Sequence, residues 1–173
     1  MAIKIKGIKK LNKTISTQLH PFGIDRAECT DEYSYQYDNN VVTFKLTENT
    51  IEDIWFNEFI KERFGYDVRY PFVMSILHEI GHSKYNEEIE GVLYKFCLDE
   101  KERIEDEMQT ADAETAKKLS WEYFNLPDEI MATYWAVEYA KAHPIKCKKM
   151  WKKMREALFE FYEKNDIIDW DWD

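Results

Sequence analysis

The chain has 173 residues and a formal net charge of −10 at pH 7. Its hydrophobic fraction of 45% is enough for a packed core, which excludes a chain that is disordered throughout. The excess of acidic residues repels the phosphate backbone, so we expect no nucleic-acid partner. With only 5 glycines and 4 prolines, the composition favours helices over an all-β or loop-rich design.

The cysteines and the apolar segments predict a protein of the cytoplasm. Cys29, Cys97 and Cys147 are odd in number and form no CxxC pair, which favours reduced, buried thiols. The basic N-terminus is not followed by the apolar region of a secretory signal. The longest apolar stretch, residues 72–77, is far too short to span a bilayer. We therefore expect a cytoplasmic protein with no membrane partner.

The first 47 residues contain both strand and helix patterns. Apolar residues alternate with lysines over residues 2–6, which permits a short strand, and they recur at helical spacing over residues 8–19. Tyrosines alternate with polar residues over residues 33–37, and after an Asp-Asn-Asn turn residues 41–47 (VVTFKLT) are rich in β-branched side chains. The last two segments predict a β-hairpin.

Helix signals begin after the hairpin. Thr50 can cap a helix that runs to Phe64 and stops at Gly65, because glycine readily adopts the left-handed conformation that ends a helix. Pro71 can open a second helix that reaches about Tyr85, since proline is tolerated in the first helical turn. Both segments are bounded by residues that favour helix ends, so we predict two separate helices here.

The remaining sequence also predicts helices. The very acidic residues 87–114 predict one or two solvated helices with a break near Thr110. Pro127 can occupy the first turn of another helix, which ends before Pro144. A last helix is predicted from about residue 145 to residue 164.

The order of these elements predicts the α+β class, in which strands and helices are segregated along the chain. We expect a small N-terminal antiparallel sheet or hairpin followed by a mainly helical body. A chain of 173 residues suits one compact domain better than two, so we predict a single domain over residues 1–173.

The most informative motif is His78-Glu79-Ile80-Gly81-His82, an HExxH sequence in the helix that begins at Pro71. Residues four apart lie on one helix face, one turn apart, so both imidazoles can reach one ion. Zn²⁺ binds neutral imidazole nitrogens at about 2.0–2.1 Å and favours a tetrahedral ligand set. Glu79 is rotated by about 100° around the helix axis and can accept a proton from a metal-bound water without being a ligand itself.

Apolar neighbours of the motif strengthen this interpretation. They predict that the helix is buried, and buried ionisable side chains need a partner such as a metal ion. The alternative is a surface helix whose two histidines face water.

A catalytic zinc site needs a third protein ligand, with water in the fourth position. The best candidate is Glu129, which heads a stripe of small side chains at helical spacing: Ala132, Thr133, Ala136 and Ala140. Small residues let helix axes approach closely, and Gly81 offers a matching bare patch on the histidine helix. Alternatively, Glu129 is an ordinary acid near a helix N-terminus. The other candidates for the third ligand are Asp128, Glu122 and His143.

The LHEIGH segment and the E-x-x-A-x-x-W-A pattern that starts at Glu129 resemble the zincin metallopeptidases. They are most similar to compact gluzincins such as the ImmA/IrrE-type peptidases of bacteria and their phages. The resemblance covers roughly residues 33–47, 73–85 and 127–140. It departs from the compact members at the acidic residues 87–114, which lengthen the connection between the two motifs.

The resemblance implies a small sheet, an active-site helix and a second helix that carries a glutamate ligand. It implies that His78 and His82 are zinc ligands, that Glu79 is the general base and that Glu129 is the third ligand. The residue that would stabilise the oxyanion stays open among four candidates: Tyr85, Tyr134, Tyr139 and His143.

These observations predict a zinc-dependent peptidase that acts on a peptide or protein substrate. Metal-bound water, activated by Glu79, would attack the peptide carbonyl, and Glu79 would pass the proton to the leaving amine. An extended substrate could pair with an edge strand, for which residues 41–47 are the candidate. Two alternatives stay open, a non-catalytic metal-stabilised module of the zincin fold and an acidic protein-interaction module in which the motif is accidental. The oligomeric state is also open.

Overall fold

The computed structural model describes residues 7–46, 50–85 and 92–165. Three strands precede most of the helices, and the α+β class is confirmed. In chain order the elements are α1 (Ile8–Leu19), β1 (Arg26–Thr30), β2 (Ser34–Gln36), β3 (Val41–Lys45), α2 (Ile51–Phe64), α3 (Pro71–Tyr85), α4 (Val92–Met108), α5 (Ala113–Phe124), α6 (Pro127–Ala142) and α7 (Pro144–Lys164). Among the described helices, none is long and apolar enough to cross a membrane.

The described residues form two compact units. The first unit comprises the described parts of Met1–Leu46 and Pro144–Asp173, and the second comprises those of Thr47–His143. The first therefore holds α1, the sheet and α7, whereas the second holds α2 to α6. The single domain over residues 1–173 stays a prediction.

In the first unit, the sheet has the strand order β1-β3-β2. The hairpin prediction is confirmed, because β2 pairs with β3 in antiparallel fashion with Ser34 opposite Thr43. The strand β1 was not predicted; it pairs with β3 in parallel, from Arg26 opposite Val41 to Thr30 opposite Lys45. The sheet is therefore mixed rather than purely antiparallel. The strand expected over residues 2–6 lies outside the described residues.

The strand β3 is the centre of the sheet, so the prediction that residues 41–47 offer a substrate-binding edge is wrong for the described residues 41–45. Both sides of β3 already pair with another strand, and Val41 to Phe44 are buried. The outer edge of β1 is covered by α1, where Ser16 Oγ accepts from the Ala27 amide at 2.8 Å. Asn12 Oδ1 accepts from the Cys29 amide at 3.1 Å.

In the second unit, the predicted helix ends are confirmed. Thr50 caps α2 through a capping box, in which the Asp53 amide donates to Thr50 Oγ1 at 3.3 Å and the Thr50 amide donates to Asp53 Oδ2 at 3.0 Å. Gly65 ends α2 in the left-handed conformation with φ of 62°. The acidic segment is interrupted where predicted, since α4 ends at Met108 and Asp112 caps α5.

Candidate metal centre

Helix α3 places the HExxH motif in the interior of the second unit. Eleven consecutive residues of this helix, from Phe72 to His82, are buried. His78 and His82 are only 7% and 9% exposed, and their Nε2 atoms lie 3.2 Å apart. The two imidazoles therefore share one buried face, as the spacing predicts, and do not face water.

Helix α6 crosses α3 at very short range. A Cβ atom added to Gly81 would lie 2.8 Å from Ala132 Cα and 2.9 Å from the Ala132 carbonyl carbon, closer than real Cβ atoms approach backbone. The small residues of the predicted stripe, Ala132, Thr133, Ala136 and Ala140, are all buried. Because Gly81 has no side chain, the α6 backbone packs directly against α3. This close packing places Glu129 beside the two histidines.

Glu129 completes a three-residue cluster. Its carboxylate is 4% exposed, with Oε2 lying 2.9 Å from His78 Nε2 and Oε1 lying 3.4 Å from His82 Nε2. One ligand atom from each of the three residues falls within 4.8 Å of the other two. This buried group could hold a metal ion, as the sequence predicts.

The spacing of these atoms suits a tetrahedral ion. Ligands bound at about 2.0–2.1 Å with tetrahedral angles are separated from one another by about 3.3 Å. The two Nε2 atoms lie 3.2 Å apart, and the nearest carboxylate oxygen is 2.9 Å from His78 (Oε2) and 3.4 Å from His82 (Oε1), so the distances between the residues lie near that value. A cation would also satisfy the two nitrogens and the carboxylate together, since all three atoms can act as electron-pair donors.

Two neighbours hold the His78 ring in place. Thr133 Oγ1 of α6 lies 3.0 Å from His78 Nδ1, and the Phe56 ring of α2 packs edge-on to the imidazole at a centroid distance of 5.1 Å. In the tautomer with hydrogen on Nδ1, His78 donates to Thr133, and the lone pair of its Nε2 is available to a metal ion. Thr133 was predicted only as a small residue of the stripe, and this contact gives it a second role.

The electrostatics favour an ionised Glu129. Burial by itself raises the pKa of this carboxyl group, but His82 and His78 together hold the pKa well below its ordinary value. Glu129 is thus a carboxylate at neutral pH, which is the form that binds metals.

Lys101 of α4 reaches the same carboxylate, and the sequence did not predict this. Its side chain is 18% exposed, and its ammonium donates to Glu129 Oε1 at 2.5 Å and to Asp128 Oδ2. Burial lowers the pKa of Lys101, but the negative charge of Glu129, with smaller contributions from Tyr123 and Asp128, outweighs burial and raises the pKa above its ordinary value. Lys101 is therefore a cation at neutral pH.

A sequence signal for Lys101 existed within the acidic segment. Cys97, Lys101 and Ile104 follow the spacing i, i+4, i+7 and form the inward face of α4, where Cys97 and Ile104 are fully buried. A lysine that interrupts an apolar helix face needs a buried anionic partner.

Glu79 lies beside this cluster. It is 7% exposed and directly follows the first histidine of the motif. Burial and then the Glu129 carboxylate raise the pKa of the Tyr123 phenol, and Glu79 adds to that rise. The carboxylates of Glu79 and Glu129 are therefore both close enough to Tyr123 to raise the pKa of its phenol.

The alternative third ligands lie elsewhere or have another partner. Asp128 is buried but pairs with Lys101, and Glu122 is exposed and pairs with Arg103 at 3.2 Å. His143 follows the C-terminus of α6, with its ring 4.6 Å from the Tyr139 ring. Within the described residues, Glu129 is the carboxylate that joins the two histidines.

Compared with known proteins, the chain matches no family model, no curated protein and no solved structure.

Proposed function

We propose that this chain is a zinc-dependent peptidase whose metal is held by His78, His82 and Glu129. The observation that carries the proposal is the convergence of two imidazole nitrogens and one carboxylate at distances of 2.9 to 3.4 Å in the interior of the second unit. Two nitrogen donors and one oxygen donor favour Zn²⁺ over Ca²⁺ and Mg²⁺, which prefer oxygen ligands throughout.

The balance of buried charge supports a divalent ion. Three carboxylates are buried here, those of Glu79, Asp128 and Glu129, and Lys101 supplies one ammonium. Metal binding requires neutral histidines, and with both neutral this set has two more negative than positive charges. A buried charge that stays uncompensated is costly, and one divalent cation would make the set neutral.

Glu79, the glutamate of the HExxH motif, would allow the metal centre to catalyse hydrolysis as well as stabilise the fold. A bound zinc ion would acidify a coordinated water and polarise the carbonyl of the scissile bond. Glu79 stands next to the ligand His78 and has the chemistry of a general base, so it would take the proton of the attacking water and deliver it to the leaving amine. Thr133 would keep His78 in the tautomer that presents Nε2 to the metal. The substrate would be a peptide or a protein.

The proposal is tested by comparing wild type with Glu79→Gln after chelation and reloading with zinc. We expect about one zinc per chain in both proteins. The wild type should hydrolyse a mixed quenched-fluorescence peptide library, and the variant should do so more slowly by roughly 10²–10⁴-fold or more. Glu138→Gln is the matched control, since Glu138 is a partly exposed acid of α6 paired with Lys141. A wild type that takes up no zinc would contradict the proposal.

A second candidate function, a non-catalytic metal centre that stabilises a protein-binding module, is favoured by the depth of the site. All three ligands are less than 10% exposed, whereas a substrate must reach a catalytic metal. This candidate predicts zinc uptake and a higher melting temperature, but no hydrolysis in the wild type. The same experiment therefore separates the two functions.

A further inference from the structure

We propose that Lys101 is a positioning residue that restricts Glu129 to binding the metal through one oxygen, so that a coordination position stays open. This inference rests on the metal centre proposed above. It concerns a residue of the acidic segment, outside both motifs that suggest the metal centre.

The two oxygens of Glu129 have different partners. Oε2 lies 2.9 Å from His78 Nε2, whereas Oε1 lies 3.4 Å from His82 Nε2 and also accepts a hydrogen bond from Lys101 at 2.5 Å. A carboxylate without such a donor can bind a metal through both oxygens. An ammonium on one oxygen takes up part of its negative charge and one of its lone pairs, which leaves Oε2 as the better ligand.

Lys101 is itself held firmly. Asp128 Oδ2 accepts from the same ammonium, the Tyr123 ring lies 5.4 Å from Nζ, and the side chain is only 18% exposed. Arg103, two residues along α4, behaves differently: it is 40% exposed and forms surface ion pairs with Glu100, Glu107 and Glu122. Of these two cations, only Lys101 is placed to act on a metal ligand.

The number of protein donor atoms decides whether a coordination position stays open. Two imidazoles and one carboxylate oxygen give three protein donors, which leaves the fourth tetrahedral position for water or substrate. If both oxygens of Glu129 bound the metal, four protein donors would fill the tetrahedral positions, and water could bind only as a fifth ligand. Lys101 would thus decide between an open and a closed centre.

The test compares the full-length wild type, Lys101→Met and Lys117→Met, each loaded with Co²⁺ as the probe. Lys117 is the matched control because it pairs with Glu58, which is not a member of the cluster of His78, His82 and Glu129, and is 44% exposed. We expect one bound Co²⁺ per chain in all three proteins. The visible d–d band should lose intensity in Lys101→Met alone, because a second oxygen of Glu129 joins the metal beside the solvent ligand and raises the coordination number from four to five. Lys101→Arg keeps the charge and should restore the spectrum of the wild type.

The outcomes separate the two proposals. If Lys101→Met has the spectrum of the wild type, this inference is overturned while the metal centre stands. A wild type that binds no Co²⁺ overturns both. Should Lys101→Met fail to fold by circular dichroism, Lys101→Gln replaces it with the same expected loss of intensity. X-ray absorption of the zinc-loaded wild type gives a further check that needs no variant: two carboxylate oxygens on the metal would overturn the inference.

Discussion

The two compact units bury different kinds of side chain. Among the residues of the first unit that the structure describes, the buried polar ones are Ser16 and Thr43, which are uncharged and hydrogen-bonded. The second unit buries two histidines and three carboxylates, all within or beside the candidate metal centre. The first unit can therefore be stable through apolar burial and hydrogen bonds alone, whereas the second bears the cost of desolvated charge.

This difference predicts that zinc stabilises the second unit more than the first. A ligand that binds only the folded state stabilises it by about 4.1 kcal/mol when its concentration is 1,000 times the dissociation constant. We expect zinc to slow amide hydrogen exchange mainly in α3 and α6, where the ligands reside, and to leave the strands β1 and β3 much less changed. Exchange measured by mass spectrometry with chelator and with zinc checks this.

Equal protection of both units by zinc would contradict the prediction, since it would mean that the metal centre controls the folding of the whole chain. Magnesium in place of zinc is the control, because its preference for oxygen ligands disfavours two imidazoles.

The close crossing of α3 and α6 predicts the next largest effect. Gly81→Ala would place a methyl group against the Ala132 backbone, which cannot move aside as a flexible side chain can. Overpacking of this kind typically costs 1–3 kcal/mol, more than the roughly 1 kcal/mol that alanine gains in helix propensity over glycine. We expect a lower melting temperature and weaker zinc binding, measured by calorimetry.

Ser83→Ala is the matched control for this prediction. Ser83 lies two residues further along α3, is half-buried and donates only to the Ile80 carbonyl of its own helix. Its replacement adds no atom at the crossing. If Gly81→Ala is as stable as Ser83→Ala, the two helices do not approach as closely as the structure places them.

The first unit has an equivalent test at Ser16, which is 8% exposed and accepts from the Ala27 amide at 2.8 Å. Ser16→Ala would leave that buried amide without its acceptor, at a cost of about 1–3 kcal/mol. We expect a lower free energy of unfolding with unchanged zinc affinity, measured by urea denaturation and by zinc titration. Thr17→Ala, one residue away and exposed, is the control; an equal loss in both variants would contradict the prediction.

Local signals predicted most of the second unit, and non-local contacts explain what they missed. The ends of α2 depend on Thr50 and Gly65, and the histidine face depends on helical spacing, so neighbouring residues suffice to predict both. Strand β1 contains one buried apolar residue, Ala27, so its own sequence gives little strand signal. It is stabilised instead by its parallel partner β3 and by side chains of α1. Lys101 interrupts the apolar face of α4, which indicates a buried partner, but the local sequence could not identify that partner because the two carboxylates follow about 27 residues later.

The smallest effect is expected at the surface of the first unit, where charge is exposed instead of buried. Glu160 of α7 accepts from Lys10 at 2.6 and 2.7 Å and from Lys164 at 2.5 Å, and these contacts lower its pKa from 4.5 to about 2. Because the pKa is lower in the folded state, the carboxylate stabilises the fold above about pH 4.5, and this stabilisation is lost as the pH falls towards 2.

The melting temperature of wild type should therefore exceed that of Glu160→Gln slightly at neutral pH, and the difference should vanish near pH 2 and shrink in high salt. Glu163→Gln, an exposed neighbour on the same helix, is the control. A carboxyl titration of Glu160 by NMR with a midpoint near 4.5 would show that the two lysines are solvated instead of bound. The comparison of the units would then become sharper, because the first would owe nothing to the ion pairs of Glu160 while the second would still depend on compensating its buried charge.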